Sequence, residues 1–381
     1  MEFKIVNIFI SFVVICVIIG RSDAIAERIG CRDENGKLVD WYFLYKLPNK
    51  YSDSTKSGLE YLYITPSSQS AWTLSSHLVN STSSMLGQTL SLVYDKSQSY
   101  DFLVAMYNDE PTNAPVDNVR GHTKGVVVAN DISGYWIVHS VPKFPPAMDE
   151  GGYDYPHSGT TYGQSFLCIS FTGDQLAKVG KQLQYNEPRF YSSQVPEYLR
   201  RLYPHIVEAL DMKKVSVAPF YSLEPLRSRY GSNFVSFAKS GAFKKELYED
   251  LVAPHYNAGD FFVESWRHGP GNIGSDCTKQ TKVYNVKDIA IRSSEEISFS
   301  TLHDHSKWMV SNDNNLICVG DINRQEHQKV RGGGTVCIQL ESVAKVYNQI
   351  IVDSEPCSKR RKFVPIEIRN NHVRNDIEYN L

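Results

Sequence analysis

His122-Thr123-Lys124-Gly125-Val126-Val127-Val128-Ala129-Asn130-Asp131-Ile132-Ser133-Gly134-Tyr135-Trp136-Ile137-Val138-His139-Ser140 reads as strand, turn, strand. A valine-rich run is followed by a turn signal from Asn130 to Gly134, and then by a second run of aromatic and β-branched residues. The same pattern returns in His305-Ser306-Lys307-Trp308, Met309-Val310-Ser311, the turn Asn312 to Asn315, and Leu316 to Asp321. A His-x-Lys enters each hairpin, and a polar residue follows at similar spacing: His139 lies 15 residues after Lys124, and Asn323 lies 16 after Lys307. The motifs are 183 residues apart, close to half the mature length, which predicts duplicated halves related by a pseudo-twofold axis, with one shared site. The irregular stretch Tyr185 to Gln194 supplies the boundary, giving an N-terminal half over 25–190 and a C-terminal half over 191–357.

Residues 1–24 read as a secretory signal. Lys4 supplies positive charge, Ile5 to Ile19 is an apolar stretch too short for a membrane span, and Ser22-Asp23-Ala24 offers a small-x-small cleavage pattern. No second apolar stretch is long enough to cross a bilayer, so no membrane association is expected once the signal is removed. Removing the signal takes Cys16 with it and leaves six cysteines of seven, Cys31, Cys168, Cys277, Cys318, Cys337 and Cys357. Six can pair completely, in 15 ways that sequence alone does not decide. Cys-x-x-Cys does not occur, which argues against a zinc or thioredoxin-like site. Asn80-Ser81-Thr82 is the single N-x-S/T sequon, expected on a glycosylated loop. A net charge of −2 at pH 7 disfavours a polyanionic partner, but the chain carries 11 histidines. At roughly pH 5 unperturbed histidines are protonated and the chain becomes net positive.

Phe171 to Gln184, Val195 to Leu210 and Ser240 to Val252 carry helical apolar spacing; the second places Leu199, Leu202, Ile206 and Leu210 on one face, and the third ends before Pro254. His157 and His268 read as structural or loop residues, and strand alternation puts His303 on the face of His305. Gly332-Gly333-Gly334 reads as a flexible turn. A polar tail over 358–381 opens with Ser358-Lys359-Arg360-Arg361-Lys362, a solvated segment or processing site.

Several short motifs, in order, carry a resemblance. They are Cys31 with Gly36, Val39-Asp40-Trp41 and Tyr45-Lys46-Leu47-Pro48; Arg120-Gly121-His122-Thr123-Lys124-Gly125; Trp136-Ile137-Val138-His139-Ser140-Val141-Pro142; Tyr162-Gly163-Gln164-Ser165-Phe166-Leu167-Cys168; and Asp304-His305-Ser306-Lys307-Trp308. Over nearly all of the mature chain they resemble the deoxyribonuclease II family. The resemblance implies an α/β (α+β) fold of two phospholipase D-like halves around one central active site. It also implies acid endonucleolytic hydrolysis of DNA with no metal or other cofactor, leaving 3′-phosphate ends, in lysosomes or outside the cell. For the cysteines it implies Cys31 with Cys168, Cys277 with Cys357 and Cys318 with Cys337. The wider phospholipase D pattern has an Asp five positions after the Lys; here Ala129 and Asn312 stand there, which weighs against a lipid substrate. The tail lies beyond the family's usual end, and the oligomeric state, monomer or homodimer, is left open.

Phosphodiester cleavage needs a nucleophile, a proton for the leaving oxygen and cations on the non-bridging oxygens. Two His and two Lys supply these. One neutral imidazole forms a phosphohistidine, while the other, protonated, serves the departing 5′-oxygen and then activates water. By analogy within the superfamily His122 is the expected nucleophile and His305 the general acid, flanked by Lys124 and Lys307. His139 is expected as a third functional histidine and Asn323 as a phosphate contact. The alternative is a catalytically silent secreted homologue that binds nucleic acid or a protein partner; degeneration would show first at the His-x-Lys residues, and all four are in place.

Overall fold

Both hairpins lie at the centres of two large sheets in the computed structural model, which describes residues 28–357 apart from 53, 96, 98–100, 258 and 314. The expected signal over 1–24 and the tail from 358 fall outside the described residues. In chain order the strands are β1 (Trp41–Lys46), β2 (Lys50–Tyr51), β3 (Ser54–Thr55), β4 (Tyr61–Ile64), β5 (Thr73–Leu74), β6 (Leu103–Asn108), β7 (Lys124–Ala129), β8 (Ser133–His139), β9 (Gln164–Thr172) and β10 (Phe190–Gln194). They continue as β11 (Tyr221–Arg227), β12 (Asn233–Lys239), β13 (Phe261–Glu264), β14 (Val283–Arg292), β15 (Glu296–Ser300), β16 (Trp308–Ser311), β17 (Leu316–Gly320), β18 (Gly333–Gln339) and β19 (Ile351–Ser354). The first sheet has the order β10-β6-β7-β8-β9-β1-β4-β5; the second has β11-β12-β18-β17-β16-β13-β14-β15, with β19 also on β14. The chain is thus a mixed α+β protein, in which α1 (Met85–Tyr94), α2 (Gly173–Asn186), α3 (Glu197–Leu202), α4 (Pro204–Leu210), α5 (Ala253–Tyr256) and α6 (Glu341–Asn348) are the α-helices among the described residues.

Strand alternation explains how one valine run serves two cores. Val127 and Ala129 join Trp41, Phe43, Trp136, Trp308, Val310 and Val319 in a cluster that spans both sheets. Val126 and Val128 turn the other way, onto Leu86 and Leu90 of α1. Both faces of β7 are buried, so its sequence is continuously apolar rather than alternating. Helix α2 lies between the sheets, against β8 on one side and β11 and β12 on the other. Asp40, just before β1, accepts hydrogen bonds from Ser228 Oγ at 2.6 Å and Tyr230 N at 2.8 Å in the β11–β12 turn, a further tie between the sheets.

Local chemistry closes each hairpin. Asn130 Oδ1 accepts from the backbone N–H groups of Ile132 and Ser133 at 3.1 and 2.9 Å, and Ser311 Oγ accepts from those of Asn315 and Leu316 at 3.2 and 3.0 Å. Gly125 is required by close packing, because a Cβ there would stand 2.4 Å from the Ile137 carbonyl oxygen.

Three helix expectations change. Phe171 and Thr172 complete β9, so α2 begins at Gly173 and runs on to Asn186. The expected helix over 195–210 is broken at Tyr203-Pro204, since proline lacks the N–H and disfavours helical backbone in the residue before it. The break leaves Leu199 and Ile206 buried but Leu202 48% exposed. Ser240 to Val252 is not one helix: a 3₁₀ turn over Gly241–Phe243 precedes a π-helical turn over Tyr248–Val252, and Pro254 sits in the first turn of α5, where its missing N–H costs nothing. Helix α1, capped by Ser84 Oγ on the Gly87 N–H at 3.0 Å, lay outside the sequence reading. The midpoint stretch expected to separate the halves contains β10, which pairs with β6, and α4 beyond it packs on α2. Its irregular sequence is that of an edge strand.

Disulfides join Cys31 to Cys168, Cys277 to Cys357 and Cys318 to Cys337, the last directly across β17 and β18. No helix among the described residues is long and apolar enough to cross a membrane. The Cys31–Cys168 bridge closes a 137-residue separation. Replacing both cysteines with alanine is expected to cost about 2–5 kcal/mol of unfolding free energy, read from urea midpoints.

Candidate active site

Each His-x-Lys leads into the central hairpin of its own sheet, yet each histidine is held by backbone of the other. The His122 N–H donates to the Gly332 carbonyl at 2.9 Å, and its ring Nδ1 lies 2.6 Å from the Asp321 carbonyl oxygen. The His305 N–H donates to the Gly163 carbonyl at 2.8 Å, and its Nδ1 lies 2.8 Å from the Ser140 carbonyl oxygen. Ser140 follows β8 and Asp321 follows β17, so the two arrangements mirror one another. A carbonyl oxygen can only accept, so Nδ1 of His122 carries the hydrogen; at His305 the Ser140 carbonyl at 2.8 Å favours the same tautomer over the longer Lys307 Nζ contact at 3.2 Å, and the neutral imidazole then keeps its lone pair on Nε2. His305 Nδ1 also lies 3.2 Å from the Gln164 side-chain oxygen, a second acceptor for the same hydrogen.

Both rings line one cleft of about 230 Å3, together with Asp109, Trp266, His268, Asn323 and Arg331. Lys124 and Lys307 are fully buried behind it. Lys124 Nζ pairs with Asp109 Oδ1, and Lys307 Nζ donates to the His305 carbonyl at 2.5 Å. Asp109 is a hub: its Oδ2 accepts from Arg331 Nη2 at 3.0 Å and lies 3.9 Å from His122 Nε2. Arg331 reaches the Arg120 and Gly121 carbonyls as well, at 2.7 and 3.2 Å.

Burial acts to raise the Asp109 carboxyl, but Lys124, His122 and Arg331 outweigh it and hold the group well below the usual carboxylate range. Burial and the Lys124 charge push His122 well below an ordinary histidine, against the pull of Asp109. His305 is pushed down in the same way by burial, Lys307 and Lys124. Burial and Lys124 lower Lys307, although Asp304 and Glu264 oppose them. The cleft therefore presents two imidazoles whose surroundings favour the neutral form, with Lys124, Lys307 and Arg331 close by. Such a set can attack an electrophilic centre, exchange a proton and offset negative charge, which are the needs of phosphodiester hydrolysis.

His122, Lys124, His305 and Lys307 are thus brought together, the histidines on the cleft wall and the lysines buried, and Asn323 lines the same cleft, its Oδ1 buried with no partner. His139 does not line the cleft. It is fully buried between Phe144 and Phe166, with ring centroids at 5.4 and 5.5 Å; its Nδ1 accepts from the Val141 N–H and its Nε2 has no partner. His268, read from sequence as structural, is on the cleft wall, stacked on Trp266 at 4.2 Å, and Trp266 meets the His305 ring edge-on at 4.9 Å. His303 belongs to a short 3₁₀ turn, which breaks the expected alternation, and its side chain lines a separate groove beside Lys50 and Ser52. Gly333 and Gly334 are strand residues of β18 rather than a flexible turn. Asp109, Arg331 and Trp266 were missed by sequence reading; Asp109 directly follows an apolar strand, but only the β6–β7 pairing sets it beside Lys124.

The fold is a mixed α+β protein with two large sheets, and its cleft brings both His-x-Lys histidines together beside Asp109 and Arg331. Residues 30–357 match the Deoxyribonuclease II family, and the chain belongs to it. It is 35% identical to Deoxyribonuclease-2-alpha of Mus musculus over 87% of this chain and 94% of that protein. Identity with Deoxyribonuclease-2-beta of Homo sapiens is 36%, covering 87% and 92%; with Plancitoxin-1 of Acanthaster planci it is 34%, covering 92% and 99%. The protein is accordingly a deoxyribonuclease, with DNA as its substrate.

A buried neutral His139 has a folded-state proton affinity below that of the unfolded chain, set by burial first and Lys124 second. Its stabilising neutral form is complete above roughly pH 6.5 and its contribution is lost progressively as the pH falls below that value. Going from pH 7 to pH 5, His139→Phe should therefore gain on wild type by at most about 2 kcal/mol. Parallel urea titrations of the two proteins measure this; an unchanged difference would show that His139 takes up its proton as readily in the fold as in the unfolded chain, and a change of opposite sign that the fold favours the protonated ring.

Proposed function

We propose that the protein is an acid endodeoxyribonuclease that hydrolyses DNA phosphodiesters through a phosphohistidine, without a metal, leaving 3′-phosphate ends. The observation that carries this reading is the reciprocal fixing of His122 and His305, which leaves Nε2 of each ring free for chemistry. His122 Nε2 attacks phosphorus; the bond to O5′ breaks, and O5′ takes the proton from Nε2 of a protonated His305. Water then attacks the phosphohistidine, gives its proton to His305, and releases the 3′-phosphate. Lys124, Lys307 and Arg331 offset charge on the non-bridging oxygens, Asn323 contacts phosphate, and Trp266 offers a base a ring to stack on. His139 sets the ring environment behind the first motif.

An acid requirement follows from sign. Burial and the lysines lower His305, so its proton must come from an acidic medium, aided by the negative charge of bound phosphate. Such conditions fit a lysosome or an acidified extracellular space, and we assign the protein there, with a cleaved signal at 1–24 and a glycan at Asn80. The two sheets read as phospholipase D-like halves related by a pseudo-twofold axis. In support, β6-β7-β8-β9-β1 and β13-β16-β17-β18-β12 have matching places in the two sheets, each with a helix after its β9 or β18. The halves are close to 25–190 and 191–357, with β10 to α4 packing on the first.

Supercoiled plasmid incubated with excess EDTA at roughly pH 5 is expected to be cut by wild type, with loss of at least about 10³-fold in His122→Ala and His305→Ala. Acid-labile 32P trapped on the peptide containing His122 would establish the nucleophile. Equal cutting by all three proteins would end the mechanism, and DNA binding without turnover in wild type would favour a silent homologue.

A further inference from the structure

Two buried lysines outside the His-x-Lys motifs occupy matching places. Lys46 ends β1, opposite Gln164, the first residue of β9; Lys239 ends β12, opposite Gly333, the first residue of β18. Lys46 Nζ donates to the carbonyls of Thr160, at 3.1 Å, and Tyr162, directly before Gly163. Lys239 Nζ donates to those of Gln328, Lys329 and Arg331 at 3.1, 3.2 and 2.6 Å, directly before Gly332. Gly163 and Gly332 are the residues whose carbonyls accept the His305 and His122 N–H groups. We propose that Lys46 and Lys239 are a matched pair of positioning residues, each ammonium gathering the carbonyls of the loop that anchors the reacting histidine of the opposite sheet. The proposal rests on His122 and His305 being the reacting groups.

An ammonium offers three donors and no acceptor, which suits a ring of carbonyls; a neutral amine would aim a lone pair at one of them. Neither lysine makes a salt bridge within 4 Å among those described, so these carbonyls are its direct partners. The loops tolerate little shift. A Cβ on Gly163 would meet Asp304 Oδ1 at 2.4 Å, and one on Gly332 would meet the Asn186 carbonyl oxygen at 2.4 Å. On the Lys239 side the effect extends further, because the gathered residue Arg331 sends its guanidinium to Asp109 and to the Gly121 carbonyl beside His122.

The clamp also has a pH sense. Burial lowers Lys46 to about 7, against Asp304 and Glu60, with the Tyr155 ring 5.9 Å from its Nζ. Burial lowers Lys239 to about 8, against Glu246 and Glu187, with Arg331 adding to the lowering. Both clamps are charged in acid and are lost as the pH rises through those values, so the anchors are firm where the proposed chemistry runs.

Lys239→Met is expected to shift the backbone amide and ring NMR signals of His122 while leaving those of His305, and Lys46→Met to do the reverse. At pH 5 each should lower kcat at least about tenfold, with KM for oligonucleotide within about twofold. A general loss of packing would not follow this crossed pattern. Folded variants with unmoved histidine signals and wild-type kcat would overturn the proposal. Should the Met variants fail to fold, wild type itself decides: between pH 6 and 9 the His305 and His122 amide signals should move together with the Lys46 and Lys239 side-chain signals respectively, and flat amide signals would refute the clamp. The NMR outcome stands apart from the catalytic reading, which His122→Ala and His305→Ala test independently.

Discussion

Two hydrogen bonds cross between the sheets and set the state of the cleft: His122 Nδ1–H to the Asp321 carbonyl, and His305 Nδ1–H to the Ser140 carbonyl. Each acceptor is the first residue after the returning strand of the opposite hairpin, so neither ring is oriented unless both hairpins are in register and both sheets are docked. The shared cluster of Trp41, Trp136, Trp308 and their aliphatic neighbours is what docks them. Burial of that cluster, at about 25 cal/mol per Å2 of apolar surface, supplies the driving force, and the hydrogen bonds give it direction. Stability and tautomer are thus consequences of one packing arrangement.

Electrostatically the first motif is a concentration of cations around the Asp109 carboxylate. Asp109 neutralises part of the charge of Lys124 and Arg331, which would otherwise repel each other in a dry environment. Among the described residues the second motif has no equivalent ion pair: Lys307 turns to a backbone carbonyl, and the aromatic ring of Trp266 takes the place beside His305. Two similar hairpins therefore present histidines in different surroundings, one next to a carboxylate and one next to an indole. That asymmetry gives two chemically identical side chains different electrostatic environments.

Much of this was legible because strand and turn signals are local. The valine run of β7, the Asn130 turn and the matched second hairpin follow from residue type and period alone, and the ordered short motifs carried the family. The helices were less legible. A periodic pattern over 195–210 does not reveal that Pro204 interrupts it, and apolar spacing near Tyr248 does not distinguish an α-helix from a π-helical turn. Among the site residues, His268 read as a loop histidine and Asp109 was not singled out, because the contacts that bring them to the cleft come from a segment more than 30 residues away or from an adjoining strand.

By itself the sequence determined the two hairpins, the reactive residue types at their entries, and the family. Tertiary structure decided which groups meet: that His122 faces Asp109 and Arg331, that His139 is sealed among phenylalanines away from the cleft, and that two buried lysines grip the anchoring loops. The reason is range. Backbone conformation responds to neighbours a few residues away, whereas a tautomer, a proton affinity and a cleft depend on which distant segments pack together, and that choice is made by the whole core at once.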